Sequence, residues 1–332
     1  MQRSTLGRSG IDVSRLGFGG LFVADFVTAL DQAKATVAKA LDLGITYIDT
    51  APTYGNSEQA LGAALAGERR PLVLSTKLGG RPQPFDPKDR AGLLRSLEES
   101  LRLLGRERID LLMVHEPDRP RQYAWWTDMV EVRGPVLDLL DDLKRQGVIR
   151  AIGIGGTTVA ELAHLCRSRR FDVVLTAFNA SLLWREAFAE VMPAARAAGM
   201  GIIVGSPLQQ GALARRYDAA MADPRVWWLP AARREQFRRL YALCDETGLP
   251  LSELALRWLY ARQDVDCVLV GARTPDEIAA NVAAVGRGPL DPALVARLDA
   301  IAALLPCRPF GEPFGLGWIL GDPLAYPGQG QA

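Results

Sequence analysis

The feature that most constrains this chain is a repeat of alternating segments. Short apolar runs of β-forming residues take turns with longer amphipathic stretches. Eight such runs occur, at 13–19, 45–49, 72–77, 109–115, 148–154, 173–178, 200–204 and 267–270. They are apolar on both sides, as parallel strands covered by helices must be. Helical patterns are read at 32–43, 89–104, 135–145, 157–168, 185–198, 231–247, 252–261 and 274–285. In 89–104, Leu93, Leu94, Leu97, Leu101 and Leu104 share one side, and Arg95, Glu98, Glu99 and Arg102 the other. Pro275 opens one helix, and Gly44, Gly147, Gly199 and Gly248 sit just past helix ends.

Eight βα units predict an α/β chain folded as a (β/α)8 TIM barrel, one unit over 1–332. No Gly-x-Gly-x-x-Gly follows the first strand, which argues against a doubly wound dinucleotide sheet. Segments 5–7 and 10–12 around Arg8-Ser9 predict a hairpin that plugs the barrel bottom. The segments 115–131, with Trp125 and Trp126, and 217–230, with Trp227 and Trp228, predict long loops at the C-terminal face. The Gly/Pro-rich stretch 307–332 reads as an irregular tail.

Composition narrows the function. Thirty-nine basic residues face 38 acidic ones, so no basic surface for nucleic acid is expected. Cys166, Cys244, Cys267 and Cys307 are scattered, which predicts reduced thiols and neither disulfides nor a metal site. Without an apolar signal core or a run long enough to span a bilayer, a cytoplasmic protein is expected, not bound to membranes, as a monomer or homo-oligomer.

Catalytic candidates in a barrel stand at C-terminal strand ends. Three consecutive runs finish on Asp49, Lys77 and His115, and Tyr54 follows the first of them. Each alone reads as a rim charge or as packing. Neighbouring strands lie roughly 5 Å apart, so together these ends converge. A tyrosine hydroxyl, with a reference pKa of about 10, needs a nearby cation to exchange protons readily. Lys77 supplies the cation, Asp49 holds the ammonium, and His115 orients a carbonyl oxygen. This is an acid/base suited to hydride transfer at a C=O group, and side chains carry no hydride, so a hydride cofactor is implied.

With these residues in view, the chain resembles the aldo-keto reductases over nearly its whole length. The carriers are Leu6-Gly7-Arg8-Ser9-Gly10, the stretch Gly44-Ile45-Thr46-Tyr47-Ile48-Asp49-Thr50-Ala51-Pro52-Thr53-Tyr54-Gly55, Ser75-Thr76-Lys77 and Leu112-Met113-Val114-His115. The resemblance implies an Asp49, Tyr54, Lys77, His115 tetrad and NADP or NAD as cofactor. It implies cofactor contacts from Gly20, Asp49, Asn179, Ser206, Leu208, Gly211, Gly271, Arg273 and Asn281. Glu277 stands where many NADPH-specific members are basic, so the choice between the two cofactors stays open. Gly155-Gly156-Thr157 and Gly205 depart from the common nicotinamide grip and lean toward the branch of D-threo-aldose and L-fucose dehydrogenases. Phe18, Phe22, Trp125 and Trp126 are expected to line a pocket for a small carbonyl or sugar substrate. Two rivals remain: a slow redox-sensing subunit like the potassium-channel β subunits, and an unrelated barrel using Lys77 as a Schiff base.

Overall fold

A computed structural model describes residues 1–226 and 229–308. Strands β1 (Arg3–Thr5) and β2 (Asp12–Ser14) form an antiparallel hairpin, Thr5 opposite Asp12. Eight parallel strands then close a barrel: β3 (Leu16–Gly19), β4 (Tyr47–Asp49), β5 (Val73–Leu78), β6 (Ile109–His115), β7 (Ile149–Gly156), β8 (Val173–Ala177), β9 (Gly201–Gly205) and β10 (Cys267–Val270). Closure comes from β10, which pairs with both β3 and β9. The chain is therefore the (β/α)8 barrel that its alternation predicts.

Side-chain alternation divides the core into two layers. Tyr47, Leu111, Met113, Val173, Leu175, Ile203 and Leu269 fill the barrel interior. Leu112, Val114, Ile152, Ile154, Val174, Ile202 and Val204 face outward against the helices. The hairpin completes the interior from below, with Leu6, Ile11 and Val13 buried in the inner layer and Gly7 bridged to Met200 before β9. Sealed at that end, the barrel is open to chemistry only at the other.

Some expected boundaries move. The run at 13–19 is broken at Arg15, because Asp12–Ser14 pairs with β1 and only Leu16–Gly19 joins the barrel. The helix at 185–198 splits at Glu190, whose φ of −130° is not helical. The helix expected from 157 starts at Ala160, which leaves Thr157 in the loop after β7. Helices Ser57–Ala64 and Pro292–Ala303 were not anticipated, although Asp291 caps the second through Ala293 N at 2.8 Å. Segment 217–230 holds a short helix, Asp218–Ala222, and Trp227 and Trp228 lie outside the described residues. The tail expectation also falls outside them, except for Cys307 and Arg308. Among the described residues, no helix is long and apolar enough to cross a membrane and no cluster could hold a metal. The four cysteines are free thiols.

Candidate active site

Strands β4, β5 and β6 end side by side, with Asp49 opposite Ser75 and Lys77 opposite Met113. Their terminal side chains are brought together. Lys77 Nζ donates to Asp49 Oδ2 and to the Thr50 carbonyl, both at 2.7 Å. Ser75 Oγ donates to Asp49 Oδ1 at 2.6 Å and is itself 2.8 Å from the Tyr47 hydroxyl. Asp49 is thus held on both oxygens and is 3% exposed, and Lys77 is 2% exposed. Lys77 Nζ lies 4.9 Å from the centre of the Tyr54 ring. The His115 ring meets Tyr54 edge-on at 5.9 Å, and its Nδ1 is 3.3 Å from Thr53 Oγ1.

The electrostatics follow from burial opposed by charge. Burial alone would lower the Lys77 ammonium, but Asp49 and then Tyr54 outweigh it and hold it above the ordinary lysine value. A Schiff-base lysine must shed that proton to attack, so the arrangement opposes the aldolase alternative. Burial raises the Tyr54 hydroxyl, while the Lys77 charge pulls it back. Burial and then the Lys77 charge press His115 down to about 3, so the imidazole is neutral across the physiological range.

The expected cofactor residues follow β3, β8, β9 and β10, with Asp49 at the end of β4. After β9, Ser206, Gln209 and Gln210 all have left-handed backbones (φ 53°, 50° and 49°), with Gly211 at 119°. Within this turn Gln209 N donates to the Ser206 carbonyl at 2.9 Å and Gly211 N to the Leu208 carbonyl at 3.0 Å. Gln209 Nε2 donates to the Phe178 carbonyl at 2.6 Å, yet Gln209 Oε1 and Gln210 Oε1 are buried with no partner. Gly155 and Gly205 leave the mouth bare, since a Cβ on them would lie 3.5 Å from Lys77 Cε and 3.0 Å from Leu175 Cδ2. Orphaned amide oxygens and a floor without side chains fit a nicotinamide dinucleotide, whose carboxamide and ribose groups can donate to them. Leu208 packs on the core beside this loop, and Asn281 is buried on the helix Pro275–Gly286. Gly20 sits under the Asp49 carbonyl, where a Cβ would come within 2.8 Å.

Several other expected residues are engaged within the protein. Asn179 is buried and its Nδ2 donates to the Thr157 carbonyl at 2.6 Å, so that donor braces a loop. Gly271 makes room for Phe22, since a Cβ there would lie 2.2 Å from Phe22 Cδ2, and this sets Phe22 against the end of β10. Arg273 is engaged by Glu277 at 2.6 Å through Nη2 and at 2.7 Å through its backbone N. Phe18 points outward into the helix layer and Trp126 packs on Phe171 with its Nε1 bonded to the Pro117 carbonyl, so neither lines an open pocket. Trp125 is also fully buried, its Nε1 donating to the His115 carbonyl at 3.0 Å. Phe85 and Tyr123 cover it at ring distances of 5.5 and 6.3 Å. Both of these rings are half-buried, and Phe26 is exposed against Gly55, none of them a residue that the sequence expects at the site.

Comparison with known proteins agrees with this geometry. The sequence profile of the Aldo/keto reductase family matches residues 15–303. The D-threo-aldose 1-dehydrogenase of a Pseudomonas species is 30% identical, over 82% of this chain and 89% of that protein. Pyridoxal 4-dehydrogenase of Microbacterium luteolum is 28% identical, over 85% and 92%. The holo form of aldo-keto reductase AKR11C1 from Bacillus halodurans superposes with a TM-score of 0.72 at 28% identity, covering 91% of this chain and 96% of that one. With its barrel closed around Asp49, Tyr54, Lys77 and His115, this chain belongs to the aldo/keto reductase family.

Proposed function

We propose that the protein, an NAD(P)-dependent oxidoreductase, interconverts a carbonyl compound (aldehyde, ketone or aldose) and its alcohol, with Tyr54 exchanging the proton at the substrate oxygen. The carrying observation is the buried Asp49–Lys77 pair beneath the Tyr54 ring. In reduction the Tyr54 hydroxyl donates its proton to the carbonyl oxygen, and Lys77 steadies the tyrosinate left behind. In oxidation the tyrosinate takes the hydroxyl proton. Asp49 keeps Lys77 charged and fixed. The neutral His115 ring, flanking Tyr54, hydrogen-bonds the reacting oxygen and orients it. The bound nicotinamide supplies or accepts the hydride. Ser206, Leu208, Gln209, Gln210 and Gly211 would hold its phosphate and amide groups, and Asn281 its adenosine end.

We infer a preference for NAD. The Arg273 guanidinium, the natural partner for a 2′-phosphate, is already paired with Glu277. A 2′-phosphate near Arg273 meets that carboxylate as well, whereas a 2′-hydroxyl can donate to it. The test is a panel of aldoses and small aldehydes with both cofactors, read as nicotinamide absorbance, with cofactor affinity taken from quenching of the seven tryptophans. The expected outcome is turnover, tighter binding of NADH than NADPH, and a gap narrowed roughly tenfold in Glu277→Ala, equivalent to about 1.4 kcal/mol. Absence of turnover contradicts the activity, and tighter NADPH binding contradicts the preference.

A further inference from the structure

The turn that leaves β6, His115-Glu116-Pro117-Asp118, carries two carboxyl groups that the reaction above does not use, Glu116 half-buried and Asp118 buried. Asp118 has a structural task. Its Oδ2 accepts from Thr157 N at 2.9 Å, Thr158 N at 2.6 Å and Thr158 Oγ1 at 2.7 Å, tying down the loop after β7. Gly156 permits this, because a Cβ there would lie 2.5 Å from Asp118 Oδ1.

Glu116 is placed differently. It follows His115 directly in a left-handed backbone, φ 49°, which a residue with a Cβ holds only when its surroundings impose it. Its backbone N donates to the Gly155 carbonyl at 2.8 Å, which pins the turn to the end of β7. The side chain is 18% exposed. Its Oε2 accepts from Thr157 Oγ1 at 2.8 Å and pairs with Arg119 Nε at 3.1 Å. Its Oε1 takes no hydrogen bond from any described residue. The groups facing it are Tyr54 from the loop after β4, Lys77 from β5, Asp118 and Arg119 from its own turn, and Thr157 from the loop after β7. Burial and then Asp118 push its carboxyl up to about 7, against the pull of Arg119, Thr157 and Lys77.

A half-buried carboxylate with one oxygen bonded by no described residue can accept a further hydrogen bond from a bound molecule. Arg119 already balances its charge, so what it lacks is a hydrogen bond and not a counter-ion. Phe85 and Tyr123, rings 5.4 Å apart, lie over Trp125, whose Nε1 donates to the carbonyl of His115, the residue before Glu116, and Gly155 beside that turn has no side chain. An aromatic face beside a carboxylate suits a molecule with C–H surfaces and hydroxyl edges. We propose that Glu116 is a specificity-determining residue whose Oε1 accepts a hydrogen bond from a substrate hydroxyl beside the reacting carbon, so that the site selects hydroxylated carbonyl compounds and sugars over simple aldehydes. This rests on the oxidoreductase reading above and adds no chemical step to it. The selectivity arises because a substrate without the hydroxyl displaces water from Glu116 Oε1 and gives it no hydrogen bond in return.

Glyceraldehyde and propanal form a matched pair, three carbons long with and without hydroxyls. The quantity to measure is the ratio of their kcat/KM values for reduction. In the wild type glyceraldehyde is favoured, and the preference weakens as pH falls through about 7, where Glu116 takes up its proton. Glu116→Leu should cut the ratio roughly tenfold to a hundredfold, chiefly through the KM for glyceraldehyde. Glu116→Gln, closer in shape and a safeguard against misfolding of the leucine variant, should lower the ratio and abolish its pH dependence near 7. A purely structural residue would depress both substrates together and leave the ratio where it was. An unchanged ratio in both variants overturns the proposal. Absence of wild-type turnover on both aldehydes with either cofactor instead overturns the oxidoreductase reading on which it rests.

Discussion

At the scale of single residues, the decisive object is a lysine ammonium removed from water. Lys77 is tolerated there because Asp49 Oδ2 and the Thr50 carbonyl accept two of its protons at 2.7 Å. Removing one partner of such a pair is far worse than removing both. Asp49→Asn should therefore lower unfolding free energy by about 3–5 kcal/mol, and Asp49→Asn with Lys77→Met should recover most of that without recovering turnover, as denaturant melts and assays would record. A single variant as stable as the wild type would contradict the account. Because the folded Lys77 value is raised, its stabilisation is complete below the unfolded value of about 10.4 and fades only as pH climbs beyond that. The four tetrad residues were legible because each ends a strand or opens the loop behind one. Glu116, Asp118 and Thr157 were not. An acid–Pro–acid turn reads as solvated, and what buries Glu116 arrives with Thr157, 41 positions later.

At the scale of elements, strands were easier to read than helices. The run at 109–115 coincides with β6, and those at 173–178 and 267–270 differ from β8 and β10 by at most one residue. Residues apolar on both faces are their own signal. Ser57–Ala64 escaped notice because it is short and rich in alanine and glycine, and because it follows the Tyr54 loop without a break. Its role is clear once folded. Glu58 accepts from Thr76 Oγ1 and Arg81 Nη2, both at 2.6 Å, lashing the helix to β5 and to the loop beyond it. Gly62 lets it pack on the helix Arg90–Leu104, since a Cβ at that position would lie 2.0 Å from the Leu103 carbonyl oxygen. Gly62→Ala should accordingly destabilise the fold by about 1–3 kcal/mol and lower the melting temperature by a few degrees. An unshifted calorimetric transition would show that the two helices are not in such close contact.

At the scale of the whole molecule, closure of the sheet does the gathering. The hairpin seals one end, and at the other β4, β5 and β6 deliver the proton-handling groups while β7 to β10 present the turns that suit a dinucleotide. The first half was legible as three ionisable strand ends. The second depended on features no pattern displays: left-handed turns at Gln209 and Gln210, the Arg273–Glu277 pairing, and the ring of Phe22 resting where only a glycine leaves room. On the proposed function the proton is handled at the ends of β4 to β6, while most residues that would hold the cofactor follow other strands, so the two can be measured apart. The most direct measurement is turnover and NADH affinity of Tyr54→Phe beside the wild type. The account predicts a loss of turnover of roughly 10²–10⁴-fold with cofactor affinity essentially retained, and turnover within a few-fold of the wild type would contradict it.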